Sequence, residues 1–308
     1  MEAQNRLDLW GVWRLYKCIS ECSPDVVHVH HTVSAFWASI FGKIMGAKVV
    51  RTEHNNAEFH TPSQRVVNSV SQALSDLVLC NSRNTYQSMN SVQKRIIGDR
   101  WRVVYNGVDV KRIERAASLS PPLEKGETIT VGSVGRLVDQ KNYRRLIEAF
   151  SKVVPCFSKP LRLVLVGDGE NRRALEQQIE DLGLNEQVVL VGELDRDEVY
   201  AALHSFDIFI MPSLWEGFCN AAVEAMAAEL PIVCSNIPTL REVVGNVALY
   251  ADPEDSNDIA NVLLKLLRQG EEKWRKKGDE AHRRATERYS VTRTAEQYEQ
   301  SYRCVVGK

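Results

Sequence analysis

The sequence predicts an α/β protein built from two domains, each with a parallel sheet. Short apolar strands alternate with helical segments in two runs, one on each side of residues 116–127. That segment, AASLSPPLEKGE, is rich in proline, serine and glycine and has no apolar periodicity, which is typical of a linker. Apolar strands that alternate with helices form parallel sheets with helices on both faces. A chain of 308 residues is long enough for two such domains.

The first run begins with a helix. Apolar residues recur at helical spacing in residues 9–19, which favours a helix packed on the core; a helix on a membrane surface is the alternative. Turn-forming residues separate the segments that follow, and β-branched residues concentrate in the predicted strands. These strands are 25–31, 47–54, 77–80 and 102–109, the last running into an Asn-Gly turn, and the helices between them are 33–45, 64–74 and 82–89.

The second run repeats the pattern and ends in three helical stretches, the last at 291–306. Its predicted strands are 129–135, 161–167, 187–192, 207–213, 231–235 and 247–251, and its helices are 142–154, 171–182, 195–204, 219–228 and 239–244. Ligands of such sheets bind beyond the carboxyl ends of the strands. We therefore expect two Rossmann-like domains facing a cleft, with domain bounds 1–120 and 128–285 and a final helix, 286–308, that crosses back.

Composition excludes several classes of protein. No apolar run approaches the ~18 residues of a membrane-spanning helix, and charges interrupt the N-terminal segment, unlike a secretory signal. The seven cysteines are scattered, so we expect reduced thiols in a cytoplasmic protein and neither a zinc site nor a disulfide framework. No basic patch is interleaved with aromatic residues, which argues against nucleic acid as a partner.

Charge is divided unevenly along the chain. Residues 1–125 carry 16 Lys and Arg against 11 Asp and Glu, whereas the remainder carries 23 against 29. The simpler interpretation is a mildly basic domain facing an acidic one. The alternative is that the basic half touches an anionic acceptor or the cytoplasmic face of a membrane, as a peripheral contact.

Two carboxylates, Glu216 and Glu224, lie eight positions apart before and within a helix-forming run. Eight helical positions advance about 800°, or about 80° beyond two turns, and about 12 Å along the axis. We therefore predict that both carboxylates lie near one helical face, with Glu216 at the N-terminal end. This arrangement suits a ligand with hydroxyls at both ends better than a salt-bridge ladder, which pairs charges three or four residues apart.

Glycine and basic residues follow the first strand of the second domain. Gly135 and Arg136 end that strand, and Lys141 precedes the next helix. Glycine lets a phosphate approach the backbone, and two cations can neutralise a diphosphate. A tight turn with two solvated bases explains the spacing equally well. Turn chemistry also accounts for Gly167-Asp168-Gly169 and for Gly192, at the ends of the next two strands.

Together with the Glu216–Glu224 segment, these residues resemble the family-4 retaining glycosyltransferases of the GT-B fold. The matching stretches are GSVGRLVDQKN (132–142), LVLVGDGENRRALE (163–176), VVLVGELDRDEVYAALHSFDIFIMPSLWEGFCNAAVEAMA (188–227), PIVCSNIPTLREVV (231–244), VVYNGVD (103–109) and DVVHVHH (25–31). The resemblance covers nearly the whole chain. Its most specific part is the EGF…EAMA segment in combination with GR…KN.

The resemblance implies a role for each matching residue. Arg136 and Lys141 hold the donor diphosphate, and Glu224 accepts hydrogen bonds from the ribose. Glu216 touches the donor sugar and phosphate together with the backbone amides at a helix N-terminus. His54 reaches the donor sugar from the first domain. The implied catalytic residues are His54, Glu216, Arg136 and Lys141, and the implied donor-binding residues are Gly135, Arg136, Lys141, Gly192, Glu193, Glu216, Gly217, Phe218, Cys219 and Glu224.

The same resemblance implies the reaction. A sugar passes from a nucleotide-diphosphate sugar to a hydroxyl of a glycan or lipid-linked acceptor, in the synthesis of a cell-surface polysaccharide or glycolipid. Front-face attack retains the anomeric configuration. The family works without a divalent metal, so no cofactor or metal is expected.

The histidines of the first domain have a second interpretation. His28 and His30 share one face of a strand, opposite His31. A metal site would need further ligands that the sequence does not offer, so we interpret the three as residues of the cleft rim, with His30 or His31 near the acceptor. By residue type alone, His54 is more often a turn residue than a catalyst, and the strand-end position together with the family match reverses that preference.

The sequence departs from the family in two places. Glu229 stands where the family usually has glycine, so its side chain must be exposed or paired. The chain also begins at the helix before DVVHVHH, without the opening βα units and their glycine-rich loop, which predicts an incomplete first domain. The alternative function is therefore a catalytically impaired nucleotide-sugar-binding or scaffold protein.

Overall fold

The structure contains two compact units. The computed structural model describes residues 8–30, 32–56, 61–119 and 128–307. Unit 1 comprises Met1–Tyr105 and Thr294–Lys308, and unit 2 comprises Asn106–Arg293. The first predicted domain extends further, to residue 120. The difference arises because the helix Val110–Leu119 packs within unit 2, where His204 Nε2 bonds the carbonyl oxygen of Ile113 at 2.7 Å.

Unit 1 is a four-stranded parallel sheet with helices around it. The strands lie in the order β1-β2-β3-β4, and Val29 of the first is level with Arg51 of the second. The strands are β1 (Val26–Val29), β2 (Lys48–Glu53), β3 (Leu77–Cys80) and β4 (Trp101–Val103), and the helices are α1 (Leu9–Cys22), α2 (Thr32–Ile44), α3 (Pro62–Leu74), α4 (Arg83–Gln87) and α5 (Ser91–Ile97). Parallel pairing brings the carboxyl ends of these strands to one edge of the sheet.

The last helix of the chain completes unit 1. This helix, α14 (Val291–Val306), packs Tyr298, Tyr302 and Val305 against buried residues of the sheet, among them Val50 and Leu79. The final helix therefore returns to the first domain, as the sequence predicts. The apolar positions of α14 recur at helical spacing, which is why the sequence alone places this helix correctly.

Unit 2 is a six-stranded parallel sheet in the order β10-β9-β8-β5-β6-β7. The strands are β5 (Ile129–Val134), β6 (Leu161–Val166), β7 (Val188–Gly192), β8 (Ile208–Met211), β9 (Ile232–Ser235) and β10 (Ala248–Ala251). If the six strands are numbered from one along unit 2, so that β5 is strand 1 and β10 is strand 6, this is the doubly wound order 3-2-1-4-5-6. The strand order reverses between β5 and β8. Ligands of such sheets bind at that switch point.

Helices cover both faces of the second sheet, as the apolar strands require. They are α6 (Val110–Leu119), α7 (Tyr143–Val153), α8 (Arg172–Asp181), α9 (Arg196–His204), α10 (Asn220–Ala227), α11 (Pro238–Val244), α12 (Ser256–Leu267) and α13 (Glu271–Tyr289). Phe150 of α7 and Leu263 of α12 join Val131 and Leu163 of the sheet in one buried cluster. Two Rossmann-like units with parallel sheets confirm the predicted fold class.

Most predicted elements are present, and the exceptions are local. The predicted strand 102–109 is shorter, because only Trp101–Val103 pairs with β3. The sequence analysis missed α5 and α6: α5 is only seven residues long, and α6 runs into the segment interpreted as a linker. The predicted linker is wrong over 116–119, which continue α6, and its remainder, 120–127, lies outside the described residues. Among the described helices, none is long and apolar enough to cross a membrane.

Glu229, the departure from the family's glycine, keeps a glycine-like backbone. Its φ is +61°, in the left-handed region that disfavours residues with a Cβ. Its side chain is exposed, and its carboxylate lies 3.9 Å from His282 Nδ1. The expectation of an exposed or paired side chain is confirmed.

Candidate active site

The candidate site of unit 2 lies at the switch point, where the loops after β5 and β8 meet. Three hydrogen bonds join the two loops: Leu214 N–H to the Gln140 carbonyl at 2.9 Å, Gln140 Nε2 to the Trp215 carbonyl at 2.9 Å, and Asn142 Nδ2 to the Pro212 carbonyl at 3.0 Å. The loops therefore form one rigid edge, and the predicted residues Gly135, Arg136, Lys141 and Glu216 all lie on it.

A salt bridge crosses this edge. Lys141 Nζ lies 2.6 Å from Glu216 Oε1, and the two side chains are 15% and 8% exposed. Burial lowers the pKa of Lys141, but the Glu216 carboxylate outweighs that effect, so the pKa of Lys141 lies above its usual value. A buried charge is tolerated when it is paired. The sequence analysis placed Lys141 and Glu216 as separate donor contacts and did not foresee that they bind each other.

The prediction that Glu216 and Glu224 lie on one helical face is wrong. Helix α10 begins at Asn220, so Glu216 lies in the loop before it and only Glu224 is helical. Cys219, the residue that caps α10, has φ +83° and ψ +74°, a conformation through which a right-handed helix cannot continue. The helical run of apolar residues in the sequence hides this break, because left-handed residues other than glycine carry no clear sequence signal.

The loop before α10 contains Gly217, Phe218 and a neutral thiol, that of Cys219. Gly217 is half-buried, whereas Phe218 is buried and packs its ring edge against Tyr289, with centroids 5.6 Å apart. Burial raises the pKa of the Cys219 thiol well above its usual value. The amides at the start of a helix carry partial positive charge and can receive an anion.

Glu224 is buried in α10 and has a partner that the sequence analysis missed. Arg196 NH1 lies 3.0 Å from Glu224 Oε1, and the Arg196 side chain is 60% exposed. Burial raises the pKa of the Glu224 carboxyl above its usual value, and Arg196 opposes that shift. A capping box formed by Asp195 and Glu198 starts α9 and thereby places Arg196 in its first turn. The box is visible in the sequence, but the contact with α10, 28 residues away, is not.

Close packing restricts two of the glycines. A Cβ on Gly167 would lie 2.1 Å from the Gly135 carbonyl oxygen, and Gly167 also has φ +132°. Gly167 therefore needs glycine with or without a ligand, which favours the turn interpretation for it. A Cβ on Gly135 would meet only side-chain atoms, at 2.9 Å from the Tyr143 hydroxyl. Gly192, with φ +98°, is half-buried at the end of β7, and Glu193 beside it is exposed, as is Arg136 at the end of β5.

Unit 1 carries a separate set of predicted residues at the carboxyl edge of its own sheet. His54 follows β2, and its Nε2 shares a hydrogen bond with Nδ1 of His30 at 2.9 Å. Asn81 Nδ2 donates to the His54 carbonyl at 2.8 Å. The ring of His28 is on the His30 side of the strand, with centroids 4.2 Å apart, as the sequence predicts. His31 lies outside the described residues.

The segment before His54 contains a buried ion pair that the sequence did not reveal. Arg51 Nε lies 2.5 Å from Glu53 Oε1, and both side chains are almost fully buried. Arg51 also donates to Asn68 and Ser71 of α3. This network fixes the end of β2 from which His54 emerges. Across the described part of the chain, no three His, Cys, Asp or Glu side chains are placed to hold a metal ion.

Comparison with known families identifies the chain. The family described as "Glycosyl transferases group 1" matches residues 115–284, which is more than half of the chain. The chain belongs to the glycosyl transferases group 1 family. The family described as "Glycosyltransferase Family 4" matches residues 1–112. Both matches confirm the resemblance to family-4 glycosyltransferases that the sequence motifs show, and retention stays a prediction.

Two relatives of this chain are glycosyltransferases whose names give different substrates. It is 28% identical over 285 residues to the UDP-Gal:alpha-D-GlcNAc-diphosphoundecaprenol alpha-1,3-galactosyltransferase of Escherichia coli, covering 86% of this chain and 71% of that protein. It is 30% identical over 161 residues to the 2-deoxystreptamine glucosyltransferase of Streptomyces kanamyceticus, covering 52% of this chain and 40% of that protein. The chain thus spans well under two thirds of the Streptomyces relative.

A solved structure supports the GT-B fold of this glycosyltransferase-family chain. Alr3699/HepE of Anabaena, crystallised with UDP, superposes with a TM-score of 0.81 at 22% identity, covering 94% of this chain and 81% of that one. At this identity the similarity shows the fold alone. The cleft between the domains stays a prediction of the sequence.

Proposed function

We propose that the chain is a retaining glycosyltransferase that moves a sugar from a nucleotide-diphosphate sugar to a hydroxyl of a glycan or lipid-linked acceptor. The observation that carries this proposal is the buried Lys141–Glu216 pair at the switch point, beside the start of α10. The name of the Escherichia coli relative, which specifies UDP-Gal and a lipid-diphosphate acceptor, supports the same substrate classes. Synthesis of a cell-surface polysaccharide or glycolipid is the proposed role.

The donor fits the chemistry of unit 2. Lys141, exposed Arg136 and the amides that begin α10 together offer positive charge for a diphosphate. Glu224 offers carboxylate oxygens to the two ribose hydroxyls, and Arg196 orients that carboxylate and opposes the rise in pKa that burial causes. Gly192 and Glu193 lie at the end of β7, the edge strand two positions from β5, where the nucleotide base would lie. These residues are the proposed donor site.

The proposed reaction follows from where charge develops. The bond between the anomeric carbon and the diphosphate oxygen breaks, and negative charge grows on the departing diphosphate. Lys141, Arg136 and the α10 amides stabilise that charge most in the transition state, which is where binding accelerates a reaction. The acceptor oxygen bonds to the same face of the sugar, and its proton passes to the leaving phosphate. These protein groups supply the positive charge, so no divalent metal is part of the proposal.

His54 is the proposed contact of unit 1 with the donor sugar. The buried Arg51–Glu53 pair fixes the strand end that carries it, and Asn81 holds its carbonyl. An imidazole can donate to or accept from a sugar hydroxyl and so orient the reacting ring.

A transfer assay with the purified full chain tests the proposal. UDP-, GDP- and ADP-sugars are first screened by thermal shift, and the stabilising donors are then offered with glycan and prenyl-diphosphate acceptors. We expect a product with the donor's anomeric configuration by NMR, and an unchanged rate in EDTA. Tight nucleotide binding without transfer to any acceptor would instead favour a nucleotide-sugar-binding protein. An inverted product would overturn the retaining mechanism.

A peripheral contact with the cytoplasmic face of a membrane belongs to the same proposal. On α1, Trp10 and Trp13 are 65% and 52% exposed, Arg14 lies over the Trp10 ring, and Lys17 lies over the Trp13 ring. Tryptophans beside basic residues are typical of helices at the lipid headgroups. Co-sedimentation with anionic vesicles should fall in Trp10→Ser/Trp13→Ser, whereas Val92→Ser, at an exposed apolar residue on α5, should bind as before. Equal binding of both variants would refute the contact.

A further inference from the structure

Three histidines of unit 1 form one connected cluster at the carboxyl edge of its sheet. His28 is in β1, His30 follows β1, and His54 follows β2. Because β1 and β2 are parallel, with Val29 level with Arg51, His30 and His54 emerge side by side. The cluster joins the proposed catalytic histidine to two others for which the reaction as described has no use.

The contact between His30 and His54 is an in-line hydrogen bond. Nδ1 of His30 and Nε2 of His54 are 2.9 Å apart, the ring centroids are 5.2 Å apart, and the ring planes differ by 21°. This centroid separation is the one expected when both nitrogens lie on the line between the ring centres. The bond therefore lies near both ring planes, where an imidazole N–H and an imidazole lone pair point. One ring donates and the other accepts, so the bond selects a tautomer for each.

His28 anchors this pair. Its Nδ1 bonds the Tyr302 hydroxyl and its Nε2 bonds the Thr52 hydroxyl, each at 2.7 Å. Both ring nitrogens are thus engaged, one from α14 and one from β2, and the ring cannot turn without losing a bond. The His28 ring lies beside that of His30, with the planes tilted by 41°. The fixed ring therefore limits the rotation of His30 as well.

We propose that His30 is a positioning residue that sets the orientation and the tautomer of His54, with His28 as its support. This inference rests on the proposed function of His54 in sugar transfer. The nitrogen of His54 that carries the proton decides whether the ring donates to or accepts from a sugar hydroxyl. A ring held in one tautomer needs no reorganisation when the donor binds.

Two substitutions of His30 separate the hydrogen bond from the rest of the side chain. In His30→Asn, the amide can occupy the place of Nδ1 and keep the bond, whereas His30→Ala removes it. A misplacement of ~1 Å can cost ~100-fold in rate, so we expect kcat to fall by about 10- to 100-fold in His30→Ala, with most of the activity restored in His30→Asn. Nucleotide affinity should not change. His204→Gln, at a histidine that bonds one backbone carbonyl of unit 2, is the matched control.

The second readout is the state of His54 itself. In the ¹⁵N-labelled full chain, imidazole nitrogen shifts report the tautomer of His54 directly. We expect a single tautomer in the wild type and in His204→Gln, and a mixture in His30→Ala. An unchanged His54 spectrum in His30→Ala overturns the inference, even where kcat falls. If the wild type transfers no sugar from any donor, the proposed function fails, and the spectrum still decides whether His30 sets the tautomer of His54.

Discussion

The guanidinium of Arg196 lies 3.0 Å from the buried carboxylate of Glu224. Glu224 is 7% exposed, so the carboxylate has little water around it, while Arg196 reaches it from the more exposed first turn of α9. A buried carboxylate without a partner takes up a proton and then no longer offers two acceptor oxygens. Burial raises the pKa of Glu224, and Arg196 opposes that rise, so Arg196 favours the ionised carboxylate that the proposed ribose contact requires.

Glu224→Gln should weaken nucleotide binding. Hydrogen bonds to a charged group contribute about 1.5–3 kcal/mol, so we expect the Kd for the nucleotide to rise about 10- to 100-fold by calorimetry. Glu180→Gln, an exposed carboxylate on α8, is the control and should bind like the wild type. Unchanged affinity in Glu224→Gln would contradict the ribose assignment.

Arg196→Ala should weaken nucleotide binding increasingly as the pH falls, because the pKa of Glu224 would rise further without its partner.

Lys141→Met should lower both stability and turnover. It leaves the Glu216 carboxylate buried without its cation, and breaking such a pair typically costs about 3–5 kcal/mol. Lys159→Met breaks the exposed pair with Glu271 and should cost less than about 1 kcal/mol. Urea denaturation of both variants gives the comparison.

Adding Glu216→Leu to Lys141→Met removes the stranded carboxylate. The double variant should recover much of the lost stability and none of the activity, because the cation for the diphosphate and the Glu216 carboxylate are both missing. Recovery of sugar transfer in the double variant would show that neither Lys141 nor Glu216 takes part in the transfer. No recovery of stability would mean that the cost arises from packing rather than from an unpaired charge.

The sequence predicts the elements of this protein better than its contacts. Strands such as Leu77–Cys80 follow from apolar runs between turn residues, and their ends identify the loops that carry the site. The Glu216–Glu224 geometry fails because the conformation of Cys219 depends on the turn around it. The partners of Lys141 and Glu224 come from other elements and are set only when the sheet order brings those elements together.

In unit 1, too, the sequence predicts where residues lie along the elements but not which residues they contact. The alternation of His28 and His30 places both on one side of β1, as the strand period requires. The bond from His30 to His54 depends on the register of β1 and β2, which the sequence does not encode locally. Arg51 and Glu53 alternate like exposed charges and are buried instead, because α3 supplies their remaining hydrogen bonds.

The stability of unit 1 should fall as the pH falls from about 6.5 to about 4, because His28 is neutral in the folded state. Burial, followed by the nearby His30 and His54, lowers the pKa of His28 from 6.5 to about 4. Between these values the unfolded chain binds a proton that the folded chain does not, so stability is lost on acidification. Partial solvent screening reduces the full effect to about 2 kcal/mol.

His28→Gln should remove that contribution. Glutamine can still meet the Tyr302 and Thr52 hydroxyls but does not titrate, so the slope of unfolding free energy against pH should flatten between pH 6.5 and 4. Only the slope matters, whatever stability the variant loses overall. His204→Gln serves as the comparison and should keep the wild-type slope. A variant as acid-sensitive as the wild type would assign the loss to other groups.

Glu229→Gly should stabilise unit 2. Glu229 has φ +61°, which costs a residue with a Cβ about 1–2 kcal/mol. Glycine removes this strain but adds conformational entropy to the unfolded chain, so we expect the free energy of unfolding to rise by about 1 kcal/mol. Glu229→Ala keeps the Cβ and removes the carboxylate, which is 3.9 Å from His282, so it should bring no gain. Gly278→Ala should destabilise, because its Cβ would lie 2.0 Å from the Glu229 carbonyl oxygen. Thermal unfolding of the three variants separates backbone strain from charge: an equal gain in Glu229→Ala would assign the effect to the carboxylate.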